Sequence, residues 1–332
     1  MSEYSLAFPY LHGEPQQTAL FKSQPEDFIV DEIFDFQAMG EGEHLFLKVK
    51  KTGENTQFLS DQLARFLSIN KMDVGFAGMK DRQAITTQWF SLYLPDQQRT
   101  LDWQAFLQQS ELKAELLEFC RHNKKLRRGD HSGNRFTITL RDIPQTQETE
   151  ERLSLIKQHG VPNYFGEQRF GREASNLQQF ADLLEKNSQQ NEATQRTRSK
   201  YKRKRNTNSM LVSAARAWLF NCVLSERIKR KTWATQLEGE VLVDGKISGP
   251  LWGRGRLASS GEVAEIEVRA LENYSAWCNH LEHSGLSQER RQLQLVPRNI
   301  AWHWQQDVLT LTFSLASGQY ATALLREVCK LK

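Results

Sequence analysis

Along this chain the apolar residues switch between a period of two and a period near 3.6, and neither pattern runs long. Residues 135–141 (RFTITLR) put Phe136, Ile138 and Leu140 on one face of a strand. Residues 55–67 put Phe58, Leu59, Leu63, Phe66 and Leu67 on one stripe of a helix that Asn55 can cap. Short segments of both kinds, interleaved over 332 residues, imply an α+β fold with mainly antiparallel sheet. The length suits about two domains. Hydrophobic residues at 39 % and aromatic residues at 10 % are enough for packed cores, which excludes wholesale disorder.

The remaining segments extend this reading. Residues 27–33 (DFIVDEI) and 44–50 (HLFLKVK) read as a hairpin, with Gly40 and Gly42 in the turn. A glycine-punctuated loop (GFAGMKDRQA) precedes the strand-like ITTQWFSLYL. Residues 146–159 suit a helix closed by Gly160, and residues 174–186 and 210–231 suit two more. The polar stretch 187–209 reads as a mobile loop. Short strands are expected at 238–243 and 262–270. Residues 300–332 read strand, strand, helix, turning near Gln306 and Asp307.

Several function classes are excluded by missing patterns. No G-x-x-x-x-G-K-[ST] is present, and no G-x-G-x-x-G follows a strand. Neither H-E-x-x-H nor a C-x-x-C pair occurs, so no metal site is expected. The four cysteines lie far apart and read as free thiols. Residues 1–15 lack the features of a signal peptide, and no apolar run approaches a bilayer span. The compartment expected is therefore the cytoplasm.

A net charge of +4 says little, but the cations cluster. Residues 124–128 read KKLRR, and residues 227–231 read RIKRK. Residues 196–205 (RTRSKYKRKR) hold seven cations and no acid. Such runs are the footprint of phosphate binding, although a single run is more often a solvated face. For the run at 196–205 self-repulsion favours an anionic partner. The Asp of Lys80-Asp81-Arg82 is flanked by cations that favour its charged form, so it can serve as nucleophile or base. Taken alone, it is more often a turn residue. Phe136, just after KKLRR, can stack on a base or pack in the core. A non-catalytic RNA-binding protein and a metal-dependent nuclease are the competing readings. The nuclease would need clustered carboxylates, and none sits beside the basic segments.

In order along the chain, the motifs LHGEP (11–15), KSQPEDFIVDE (22–32), NTQFLSDQLARFL (55–67) and GFAGMKDRQAITTQWFS (75–91) are followed by RHNKKLRRGDHSGNRFTITLR (121–141), VPNYFGEQRFG (161–171) and LASGQYATALLREV (315–328). Together they resemble the TruD family of tRNA pseudouridine synthases. The resemblance implies a discontinuous catalytic domain, residues 1–159 and 300–332, with a TRUD domain inserted at 160–299. It implies isomerisation of uridine 13 of tRNA by a monomer, without cofactor or obligate protein partner. It also implies Asp81 as the nucleophile and Phe28, Asn134, Phe136 and Tyr320 as substrate-binding residues. A proline expected in the closing motif is Ala316 here, and Tyr320 stands where some members have Phe. Phosphate contacts are expected from Lys80, Arg82, Lys124, Lys125, Arg127, Arg128, Arg203, Lys204 and Arg205.

Overall fold

A computed structural model describes residues 4–190 and 201–332, with backbone alone for 187–190 and 201–208. The fold is α+β. The first stretch runs β1 (Thr18–Phe21), β2 (Phe28–Ile33), β3 (His44–Thr52), α1 (Thr56–Phe66), β4 (Val74–Phe76) and β5 (Ile85–Tyr93). It continues with α2 (Trp103–Ser110), β6 (Ala114–His122), β7 (Gly133–Arg141) and α3 (Gln147–His159). The middle stretch holds β8 (Val161–Pro162), α4 (Ser175–Gln190), α5 (Tyr201–Lys229), β9 (Leu242–Val243), β10 (Lys246–Leu251), α6 (Gly261–Ala270), α7 (Ser275–Glu282), β11 (Glu289–Gln292) and β12 (Gln294–Leu295). The chain ends with β13 (Arg298–Gln305), β14 (Val308–Ala316), α8 (Ala321–Val328) and β15 (Lys330–Leu331).

The chain divides into two compact units. One holds residues 16–157, 297–321 and 329–332, and the other holds 1–15, 158–296 and 322–328. The crossings lie near the expected limits of an insertion, but residues 1–15 and 322–328 cluster with the middle segment instead of the first domain.

The first unit is built on a ten-stranded sheet whose main path is β13-β14-β7-β2-β5-β3-β6. Its ladders are antiparallel except β2 with β5 and β1 with β15. The expected hairpin of β2 and β3 does not form. β5 lies between them, parallel to β2 and antiparallel to β3. The reason is burial: every residue of β5 from Thr86 to Leu92 is buried, and a strand covered on both faces belongs at the centre of a sheet. Against one face packs α1, capped by the Asn55 side chain, which accepts from the backbone N–H groups of Gln57 and Phe58. Leu59, Leu63 and Leu67 join Leu45, Leu47, Phe90 and Leu92 in one core. Phe58, expected on the same stripe, is 47 % exposed. On the other face Phe46, Trp89 and Leu126 form a smaller cluster.

In the second unit β10 pairs with β9 and β11 beside the long helix α5. Residues 262–270 are helical, not the strand their alternating residues suggested. Val263, Ile266 and Glu267 are buried and Val268 is exposed, a helical spacing. Glu267 is held inside by Arg290 at 2.8 Å and by the Ser259 hydroxyl at 2.6 Å, partners that a local pattern does not reveal. The expected strand at 238–243 shrinks to β9. The expected loop at 187–209 is helical at both ends, in α4 and α5. Residues 191–200 and the side chains of Arg203, Lys204 and Arg205 lie outside the described residues. All four cysteines are free thiols. Among the described residues no helix is long and apolar enough to cross a membrane.

Gly133 shows how closely β7 and β14 approach one another. A Cβ there would stand 2.2 Å from the backbone oxygen of Leu315 on β14. Gly133→Ala is therefore expected to force β7 and β14 apart and lower stability by about 1–3 kcal/mol. Urea unfolding of the variant beside the wild type checks this.

Candidate active site

The loop between β4 and β5 carries Asp81 and is anchored by polar groups buried on both sides of it. The Thr56 hydroxyl, at the start of α1, accepts from the Lys80 N–H at 3.0 Å and donates to Gln88 Oε1 at 2.8 Å. Gln88 in turn donates to the Gly78 carbonyl at 3.2 Å. Lys80 points inward, where its ammonium pairs with Glu32 of β2 at 2.7 Å. Glu32 also accepts from the Trp89 N–H at 3.0 Å. The expected phosphate contact by Lys80 is overturned, because its side chain is 5 % exposed and its partner fully buried. Beside this pair sits His131, whose Nε2 is 3.3 Å from the Ser317 hydroxyl. Burial, reinforced by the Lys80 ammonium, pushes the His131 imidazole down from its ordinary range.

Anchoring Lys80 inward leaves the next residue facing out. Asp81 is 33 % exposed and ion-paired through Oδ2 with Lys22, while Oδ1 accepts from the Gln83 N–H at 3.1 Å. Lys22 lies just past β1 with a φ of 57°, a left-handed conformation uncommon outside glycine. That turn brings its ammonium 4.1 Å from the Phe28 ring centroid and 5.1 Å from that of Phe21. Arg82 is exposed, and its Nε donates to the Gly53 carbonyl at 3.4 Å.

Phe28, Asn134 and Phe136 lie on adjacent strands. Glu32 pairs in register with Asn134, and Val30 with Phe136. Phe28 and Phe136 are both 7 % exposed, with ring centroids 6.0 Å apart, and Phe136 stacks on Phe313 at 5.4 Å. Phe136 is thus a core residue in this structure. Asn134 Oδ1 is buried without a hydrogen-bond partner. Tyr320 is half-buried, four residues beyond the end of β14.

The basic segments divide. Lys124, Arg127 and Arg128 are exposed, whereas the Lys125 ammonium donates to the Met72 carbonyl. Arg128 lies 5.7 Å from the Phe76 ring. In the segment 227–231 the phosphate reading fails at Arg227, which is 1 % exposed and paired with Glu240 at 2.8 Å.

Sequence reasoning missed Lys22, Glu32, Thr56, Gln88 and His131, although all lie inside motif segments. For Glu32 and Gln88 the signal is polarity at strand positions that face the interior, whereas Lys22, Thr56 and His131 lie in or beside loops, where no local pattern marks them. It also missed Lys51, which is fully buried and donates to the Glu54 carbonyl at 2.6 Å. Burial pushes the Lys51 ammonium down to about 8, against the pull of Glu54 and Asp81.

Two outcomes follow from these buried charges. Glu32→Gln and Lys80→Met are each expected to lower stability by about 3–5 kcal/mol, since each strands a buried partner. The double variant should lose less than the sum, which a double-mutant cycle by urea unfolding measures. Lys51 binds its proton more weakly folded than unfolded. Between pH 8 and its ordinary value of 10.5 the unfolded chain therefore holds the extra proton, and stability rises with pH. Lys51→Met should remove that slope, read from unfolding curves at pH 7.5 to 10.

Comparison with known proteins bears on this site. The family model described as tRNA pseudouridine synthase D (TruD) matches residues 7–206 and 243–328. A tRNA pseudouridine synthase D of Cellvibrio japonicus is 41 % identical over 335 residues, spanning 99 % of this chain and 95 % of its own. One of Pseudoalteromonas atlantica is 37 % identical over 348 residues, spanning 96 % and 95 %. A crystal structure of a Methanosarcina mazei protein assigned as tRNA pseudouridine synthase D matches with a TM-score of 0.65 at 22 % identity. It covers 99 % of this chain and 96 % of its own, and supports the fold alone. Matched over most of its length by the family model, and end to end by these relatives, the chain belongs to the tRNA pseudouridine synthase D (TruD) family.

Proposed function

We propose that this chain is a tRNA pseudouridine synthase that isomerises uridine 13 of tRNA, with Asp81 as nucleophile and no cofactor. The observation that carries the reading is Asp81 itself, in a chain of this family. It is a partly exposed carboxylate, paired with Lys22 beside the Phe28 ring, on a loop anchored by buried polar groups. In this reading the unit with the ten-stranded sheet is the catalytic domain, and the segment 160–299 is the inserted TRUD domain.

The reaction breaks the N1–C1′ bond, turns the base and joins C5 to C1′. C5 gives up a proton and N1 takes one up, so the nucleotide keeps its composition and no redox partner or nucleotide hydrolysis is needed. An ionised Asp81 can open the reaction at C1′, at C6 of the base, or by taking a sugar proton. All three routes require the free carboxylate. The uridine must first leave its stack, which costs a few kcal/mol. One ring stacked on the base returns about 1–3 kcal/mol. Phe28 is the ring nearest the Lys22–Asp81 pair, and Phe136 backs it. The unpartnered Asn134 Oδ1 suits the N3–H of uracil. Tyr320 joins the set by motif, and exposed Arg82, Lys124, Arg127 and Arg128 suit phosphates.

Asp81→Asn is expected to bind tRNA as the wild type does and to form no pseudouridine. Mapping pseudouridine at single-nucleotide resolution in bulk tRNA tests both position 13 and Asp81. Turnover near the wild-type rate in the variant would remove Asp81 from the mechanism. Wild-type activity should also persist in EDTA, and loss restored by one added metal would move the reading to a metalloenzyme.

A further inference from the structure

We infer that an aromatic groove on the sheet face opposite α1 is a second nucleotide site, holding an unpaired tRNA nucleotide beside the one that reaches Asp81. The inference rests on the reading that the chain acts on tRNA. Leu45, Leu47 and Phe90 turn toward α1, so the alternating Phe46 and Trp89 turn away from it. On that side the segment after β2 lays down Phe34 and Phe36, outside any regular element. Their rings stack with centroids 4.8 Å apart, and Phe36 meets Trp89 edge-on at 4.9 Å. The two phenylalanines form a wall shared by two cavities of about 560 and 770 Å³, within the range of small-ligand pockets.

The charge around the wall decides what fits. The larger cavity is lined by Lys124, Lys125 and Arg127 against a single carboxylate, Asp130. Lys124 and Arg127 are exposed and form no ion pair among the described residues. His122 stands 5.9 Å from Phe36. On the neighbouring edge strand β6, Cys120 pairs in register with Phe46 and packs on the same side. The smaller cavity carries Glu32 and Glu118 against Lys48, so it is on the side of the larger one that the half-buried aromatic wall under cations matches a base stacked on a ring with its phosphate on lysine and arginine.

The groove also adjoins the catalytic loop. Glu32 lines the smaller cavity and is the carboxylate that holds Lys80. The segment that lines the larger cavity continues to Gly129, whose N–H donates to the Ala77 carbonyl at 2.9 Å. The groove and the loop that carries Asp81 are thus linked through Glu32 and through Gly129.

Phe36→Leu keeps apolar bulk against Phe46 and Trp89 but removes the stacking face. It is expected to weaken the binding of unfractionated tRNA roughly five- to a hundredfold, at an unchanged melting temperature. In parallel, tRNA transcribed with 4-thiouridine and irradiated on the full-length Asp81→Asn protein should crosslink to peptides containing residues 34–36 or 122–127. That second arm needs no groove substitution, so it decides the matter even where Phe36→Leu melts early. Wild-type affinity in a folded Phe36→Leu protein, or crosslinks that avoid both segments, overturns the inference. Failure of the catalytic reading looks different: Asp81→Asn would still form pseudouridine while the groove crosslinks persisted.

Discussion

The ion pair of Lys80 with Glu32 joins the loop that carries Asp81 to the middle of the sheet. Both side chains are out of water, so neither charge is tolerable without the other. Glu32 sits near the end of β2, whose position between β5 and β7 is set by ladders on both sides. Lys80 must come to it, and the loop follows. The Thr56 hydroxyl and the Gln88 amide then hold the backbone at Lys80 and Gly78. Once Lys80 is turned inward, the neighbouring Asp81 is presented outward on a support that does not depend on Asp81 itself.

What the support presents is a carboxylate ion-paired with Lys22, which comes from elsewhere in the chain. Lys22, whose backbone takes a left-handed turn after β1, reaches Asp81 from there. The same ammonium lies over the Phe28 ring, so the cation, an aromatic ring and the Asp81 carboxylate are gathered at one point. A strained backbone at such a point is the kind of local departure that a functional site retains. The cross-strand pairs extend the arrangement to Asn134, in register with Glu32, and to Phe136, in register with Val30.

How far this was legible in the sequence varies with the range of the interaction. The Asn55 cap, the alternating face of β7 and the helix closed by Gly160 could all be read, because each depends on residues a few positions apart. Asp81 and Phe28 could be nominated from their motifs. Phe58 fits the spacing of the apolar stripe on α1, yet it is 47 % exposed. Residues 262–270 misled for the opposite reason, since the pattern alternates while a buried Glu267 with Arg290 holds a helix.

By itself the sequence determined the periods, the caps, the family motifs and hence the α+β class, since these are local properties of the chain. Only the tertiary structure decided that β5 separates β2 from β3, because burial on both faces is a property of the assembled sheet. It alone decided that Lys80 is an internal anchor and Lys22 the partner of Asp81. Those partners lie 48 and 59 residues apart in sequence, and a charge finds its counter-charge in space, not along the chain.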